Sequence, residues 1–251
     1  MNNLQPKSHT LFHFTKNLDF LKDILVEGFW PRYCLEDSKW YANSGMNYYI
    51  AYPMVCFCDI PLSRVDEHVS FYGNYGIGVT KEWAQINGLS PVIYLRENSS
   101  PHQALKKLFS KNNEIAFYNN SNTDINTLLA NIKPTEGVMR IGSELVNKEF
   151  YQENEWRYSV TGNHSASNIR PWISETEFVD ESSLNAENAR TKEQASLKIL
   201  PSDIKYLFVN TDSDIPLLVN FIQNEMDKYP SKDIKILLSR ITSLETISRD
   251  L

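Results

Sequence analysis

Phe150-Tyr151-Gln152-Glu153-Asn154-Glu155-Trp156-Arg157-Tyr158-Ser159-Val160 is the stretch whose reading decides how this chain is built. From Trp156 to Val160 apolar and polar residues alternate, which is the period of a half-buried strand. The pleat then turns Trp156, Tyr158 and Val160 toward a core and leaves Glu153, Glu155 and Arg157 on the opposite face. Two carboxylates and a guanidinium on one strand need solvent or a ligand. An ordinary charged outer face is the plainer alternative.

Working outward, Asp203 to Val209 is a second strand, followed by an amphipathic helix marked by Ile215, Leu218, Val219, Ile222 and Met226. Asp233 to Leu238 reads as a last strand. Upstream, Leu11-Phe12-His13-Phe14 is a strand that leads into a helix with Leu18, Leu21 and Leu25, capped by Thr15 or Asn17 and closed by Gly28. The segment from there to Tyr49 reads as an irregular loop. Met54–Cys58, Tyr75–Val79 and Pro91–Leu95 are further strands, with helices after Ser63, Thr80 and Ser100-Pro101. Residues 111–126 and 161–196 are polar and read as surface insertions. Strands and helices are not evenly interleaved, so the fold class is α+β with a mixed sheet flanked by helices. Neither a repeat nor a long linker divides it, and a single domain over residues 1–251 is expected.

Composition excludes several classes. The 251 residues carry a net charge of −6, with 41% hydrophobic and 22% charged residues, ordinary values for a soluble domain. A pI near 5.4 disfavours nonspecific attraction to nucleic acid. An apolar run of the roughly 18 residues needed to cross a membrane is missing, as is a charged-then-apolar leader. Three cysteines, Cys34, Cys56 and Cys58, fit a reducing compartment, so a cytoplasmic location is expected.

The motifs that usually carry chemistry are weak. Cys56-x-Cys58 lacks the second ligand pair of a zinc site and reads as buried packing, so no metal is expected. Gly76-x-Gly78 lacks the third glycine and long helix of a dinucleotide fingerprint, and reads as close backbone packing. Neither a Walker sequence nor a G-x-S-x-G elbow occurs. His13 and His68 suit half-buried packing positions, while His102 and His164 sit in polar segments.

The ordered series carries more. H-F-T at 13–15, C-F-C-D-I-P-L-S at 56–63, His68, Y-G-x-Y-G-I-G at 72–78, K-x-W-A at 81–84, F-Y-x-E-x-E-W-R-Y at 150–158 and D-I-K-Y-L-F-V at 203–209 resemble the AbiGi family of abortive phage infection systems. The opening motif, with Leu21, Ile24, Leu25 and Gly28, is also similar to that of DarT-like ADP-ribosyltransferases. The AbiGi resemblance implies an antitoxin or regulatory partner of a nucleotidyltransferase-like toxin. The more distant resemblance implies a split, ADP-ribosyltransferase-like sheet that grips NAD. Carried over, it makes Glu155 and Glu153 the catalytic carboxylates and His13, Thr15, Tyr75 and Arg157 the cofactor-binding residues, with Tyr72 an alternative stacking ring. A carboxylate bonded to ribose hydroxyls would stabilise positive charge developing as nicotinamide leaves. On that reading the chain is instead an active NAD-dependent transferase that modifies nucleic acid or protein during infection.

Overall fold

The computed structural model describes residues 8–42, 49–112, 123–141, 144–161 and 168–249. Much of the 111–126 insertion, and His164, lie outside the described residues. The strands are β1 (Thr10–Thr15), β2 (Arg32–Asp37), β3 (Tyr49–Cys58), β4 (Tyr75–Thr80), β5 (Ser90–Pro91), β6 (Ile93–Leu95) and β7 (Ile132–Pro134). They continue as β8 (Gly137–Ile141), β9 (Glu144–Lys148), β10 (Glu155–Ser159), β11 (Ile173–Ser174), β12 (Ile204–Val209) and β13 (Ile241–Ser243). The helices are α1 (Leu18–Glu27), α2 (Val65–Tyr72), α3 (Lys81–Ile86), α4 (Ser100–Asn112) and α5 (Thr123–Ala130). After them come α6 (Glu175–Val179), α7 (Glu181–Ala195), α8 (Ile215–Glu225), α9 (Ser231–Leu238) and α10 (Leu244–Ile247).

These elements form two compact units. The first comprises Met1–Phe29, Phe57–Gly88 and Leu197–Leu251, and the second Trp30–Cys56 and Leu89–Ser196, so the boundary falls inside β3.

In the first unit the strand order is β13-β12-β4-β1. β1 runs antiparallel to β4 from Thr10↔Thr80 to Thr15↔Tyr75, and β12 is antiparallel to β4 on its other side. β13 is parallel to β12, which makes the pairing mixed. A Cβ on Gly76 would lie 2.5 Å from the Phe14 ring, and one on Gly78 3.0 Å from the Phe12 ring. The glycine pair therefore lets aromatic side chains of β1 lie across β4, the packing role read from the sequence. Phe12 and Phe14 join Phe208, Val65 and Leu244 in one apolar core. Asn17, not Thr15, caps α1 by accepting the Phe20 amide at 2.9 Å, a bond worth about 1 kcal/mol. Leu21, Ile24 and Leu25 turn the inner face of α1 into this unit, each contributing about 1.5–3 kcal/mol.

In the second unit β3 is paired antiparallel with β2, from Arg32↔Met54 to Asp37↔Tyr49, and its other edge carries β11 and β10. β5 extends β10 through Trp156↔Pro91. β6 and β7 are a parallel pair, and β8 and β9 an antiparallel hairpin. Trp40, Tyr41, Tyr52, Met54, Leu129 and Trp172 build its main core.

Several expectations are corrected. Asp233–Leu238 is helical, because Pro230 precedes Ser231 and Ile234 and Leu237 repeat at helical spacing. The segment before Tyr49 contains β2, whose partner β3 supplies the ladder that a local reading cannot see. Pro91–Leu95 is broken at Val92 into β5 and β6, and only Val92 is buried, with Ile93 at 50% exposure. Within 161–196 lies the long helix α7, which has almost no apolar stripe. It is anchored instead by Asn188 Oδ1 accepting the Tyr33 amide and by Thr191 Oγ1 donating to the Pro31 carbonyl.

Candidate functional site: a buried charge network

The chain enters β10 through a 3-10 turn, Phe150–Glu153, and then through Asn154 in the left-handed region with φ of 44°. Asn is among the few side chains that adopt it readily. Glu153 therefore belongs to the turn and not to the strand, although it still lies beside Glu155. The burial of β10 departs from the expected pattern on its polar face. Glu155 and Arg157 are 5% and 1% exposed, while Trp156 on the opposite face is only half-buried. The polar face is covered as well, while Tyr158 and Val160 on the other face are buried as expected.

What makes this tolerable is a chain of alternating charge. Arg157 Nε donates to Glu155 Oε1 at 2.7 Å, Arg157 Nη2 to Glu36 Oε1 at 2.7 Å, and Arg157 Nη1 to the Ala130 carbonyl at 2.6 Å. Lys133 Nζ lies 3.0 Å from Glu155 Oε2 and 3.7 Å from Glu153 Oε2, and Lys148 Nζ lies 2.6 Å from Glu153 Oε1. Glu36, Glu153 and Glu155 thus face Arg157, Lys133 and Lys148 with no net charge left over. Buried charges persist only when paired and hydrogen-bonded in this way.

Protonation follows from the geometry. Burial alone would raise the Glu155 pKa, but Arg157 and then Lys133 outweigh it and hold the carboxyl well below the usual range. Burial acts against the charged forms of Lys133 and Arg157 as well, and Glu155 and Glu36 override it, so both stay protonated. The Cys56 thiol, pushed well up by burial and by Glu155, is a neutral donor to that carboxylate. The Glu155 amide donates to Tyr94 Oη at 2.9 Å, and burial followed by Glu155 raises that phenol's pKa. Both Glu155 oxygens are committed, so the arrangement clamps β10, β2, β7 and the end of α5 together. A surface depression of about 310 Å³ in this unit is lined by Arg96, Thr135, Glu136, Glu149 and Tyr151, and takes in none of the six candidate residues.

The structure thus brings Glu153, Glu155 and Arg157 together in the second unit, with Glu36, Lys133 and Lys148 that sequence reasoning missed. These partners lie up to 121 positions from Arg157, and no local motif announces them. His13, Thr15 and Tyr75 belong to the first unit. His13 is half-buried, with its ring edge-on to Phe29 at 5.3 Å and tilted to Phe57 at 5.5 Å. Thr15 Oγ1 donates to the Asn17 carbonyl at 3.0 Å. Tyr75 Oη donates to Asp214 Oδ2 at 3.2 Å, and the Tyr72 ring is stacked by His68 at 4.5 Å. Among the described residues, three or more His, Cys, Asp or Glu side chains never group in a way that would hold a metal ion, and no helix is long and apolar enough to cross a membrane.

Comparison with known proteins places the chain among phage-resistance proteins. The family model described as "Putative abortive phage resistance protein AbiGi, antitoxin" matches residues 27–210, and the chain belongs to this AbiGi family. The Abortive phage resistance protein AbiGi of Lactococcus lactis subsp. cremoris is 30% identical over 252 residues, covering 88% of this chain and 99% of that protein. No solved structure matches the chain significantly. The family match includes Tyr75, Glu153, Glu155 and Arg157 but begins after His13 and Thr15.

Proposed function

We propose that this chain is the antitoxin-side, regulatory partner of a nucleotidyltransferase-like toxin in a phage-defence module, acting in the cytoplasm by binding and not by turnover. An ADP-ribosyltransferase-like scaffold, inherited without its chemistry, is part of the same proposal. Membership of the AbiGi family supports the antitoxin role. The observation that carries binding over catalysis is the Glu155 carboxylate, 5% exposed and closed by Arg157 at 2.7 Å and Lys133 at 3.0 Å. A glutamate that stabilises a reacting ribose needs access and free lone pairs, and this one has neither. The acidic balance of the chain suits a basic partner.

The test is to incubate the purified protein with NAD and measure nicotinamide release. The expected result is none. Release abolished by Glu155→Gln, in a variant that melts like the wild type, would establish the transferase reading instead. Glu155 and Glu153 would then be its carboxylates, and His13, Thr15, Tyr75 and Arg157 its NAD-binding groups.

A further inference from the structure

The first unit carries a surface whose composition the core does not explain. α1 packs beside α8, and Lys22 of α1 lies 5.7 Å from the centroid of the Phe221 ring of α8. The strands that precede them, β1 and β12, are both antiparallel to β4, so the two helices start from the same end of the strands. Leu218 and Ile222 already fill the inner face of α8. Leu217 is nevertheless 55% exposed, Val26 is 40% exposed, and Phe221 is half-buried. Leu217 and Phe221, like Lys22 and Val26, are four residues apart on their helices and so share one face of each, and the two faces meet where Lys22 lies over Phe221.

Its rim is acidic. Asp19, Asp23 and Glu225 are exposed around the groove, with the Asp19 side chain at 82%. Lys22, the one cation of α1, is paired to Asp19 at 3.1 Å, and its ammonium lies over the Phe221 ring. From Asp212 to Asp227 the chain holds four acids and neither Lys nor Arg. An apolar strip flanked by exposed acids is the anatomy of a docking surface, in which the strip supplies affinity and the flanking charges supply orientation and association rate.

We propose that the α1–α8 groove binds a segment of the protein partner in which Lys or Arg side chains flank an apolar anchor. This rests on the antitoxin reading above and names its contact surface. The partner's charge follows from its chemistry, because a protein that handles nucleotides or nucleic acid presents a basic face to phosphate. An acidic groove covers such a face directly.

The experiment uses the full-length chain and the purified toxin proposed above, taken from the gene beside its own, with association and dissociation rates measured at low and high salt. Leu217→Arg and Asp23→Lys both alter exposed positions, and Leu145→Arg, exposed on β9, is the control. The expected result is tight binding by the wild type and by Leu145→Arg, weakened about ten-fold or more by each of the other two. Asp23→Lys should act mainly on the association rate and flatten its salt dependence. Unchanged binding by either groove variant, or equal weakening by the control, overturns the groove and leaves the antitoxin reading standing. Failure of the wild type to bind overturns the antitoxin reading itself. A dimer of the chain alone that Leu217→Arg dissolves would give the groove to a second copy and also overturn the proposal.

Discussion

Arg157 and Glu155, two positions apart on β10, close on one another through two bonds, Nε to Oε1 at 2.7 Å and Nη2 to Oε2 at 3.3 Å. Strand neighbours at this spacing share a face, so one residue supplies the counter-charge that lets the other be buried. Glu36 and Lys133 extend the pair to β2 and β7. The central claim about function grows from this relationship, since a carboxylate held in this way builds structure.

Arg157→Met removes the guanidinium and leaves Glu155 and Glu36 without their main partner. The expected loss of stability is about 3–5 kcal/mol, the usual result of stranding a buried charge. Arg157→Lys keeps the charge but loses the fork that spans Glu155, Glu36 and the Ala130 carbonyl, and should fall between the two. Urea titrations of the three proteins at neutral pH would measure both differences.

Acid should unfold the protein through its paired carboxylates. Glu177 is lowered to about 2, chiefly by its bond to Arg170, and Glu155 is also held below the ordinary range. A depressed pKa in the folded state stabilises fully above the unfolded value and is lost as pH falls through the folded one. Stability should therefore hold between pH 5 and 7 and decline from about pH 4 downward, near the unfolded glutamate pKa of about 4.3. In Glu177→Gln the decline between about pH 4 and 2 should be shallower. A wild type whose midpoint is flat from pH 5 to 2 would contradict this.

The cysteines should be inert while the protein is folded. Burial first, and Glu36 next, push the Cys34 thiol up to about 12, and burial followed by Glu155 pushes Cys56 well up. Cys58 is 3% exposed. The thiolate is the reactive form, so iodoacetamide at about pH 8 should label none of the three rapidly and all three in urea. Mass spectrometry of timed samples reads the outcome, and fast labelling of Cys56 in the native protein would contradict the geometry around Glu155.

Two glycines with positive φ should respond differently to alanine. Gly28 closes α1 at φ of 89°, and a Cβ there would overlap the Leu197 carbonyl oxygen. Gly88 has φ of 77° but open space around it. Gly88→Ala should cost about 1 kcal/mol, from backbone strain alone. Gly28→Ala must also displace the Leu197 backbone, which pairs with Phe29, and should cost clearly more. Thermal melts of the two variants side by side make the comparison.

The legible parts of this molecule were those written in local chemistry. Strand, turn and helix at 10–28, the Thr80 cap of α3, and the apolar stripe of α8 all follow from residues a few positions apart. The family was legible too, from the order of short motifs. Alternation in β10 correctly placed Glu155 and Arg157 on one face, but it cannot say that other elements cover this face too. That depended on Lys133, Lys148 and Glu36, brought in from β7, β9 and β2. The helix α7 escaped because polar contacts, Asn188 to Tyr33 and Thr191 to Pro31, hold it in place of an apolar stripe. Asp233–Leu238 was misread because a short apolar run fits both periods until Pro230 is weighed.

The central claim, that this chain works by binding a toxin partner, is tested most directly by co-expressing it with a candidate toxin encoded beside its gene and purifying through a tag on one protein. The account expects growth to be restored and the two proteins to elute together as a stable complex. Continued toxicity, with the two proteins eluting apart, would contradict it.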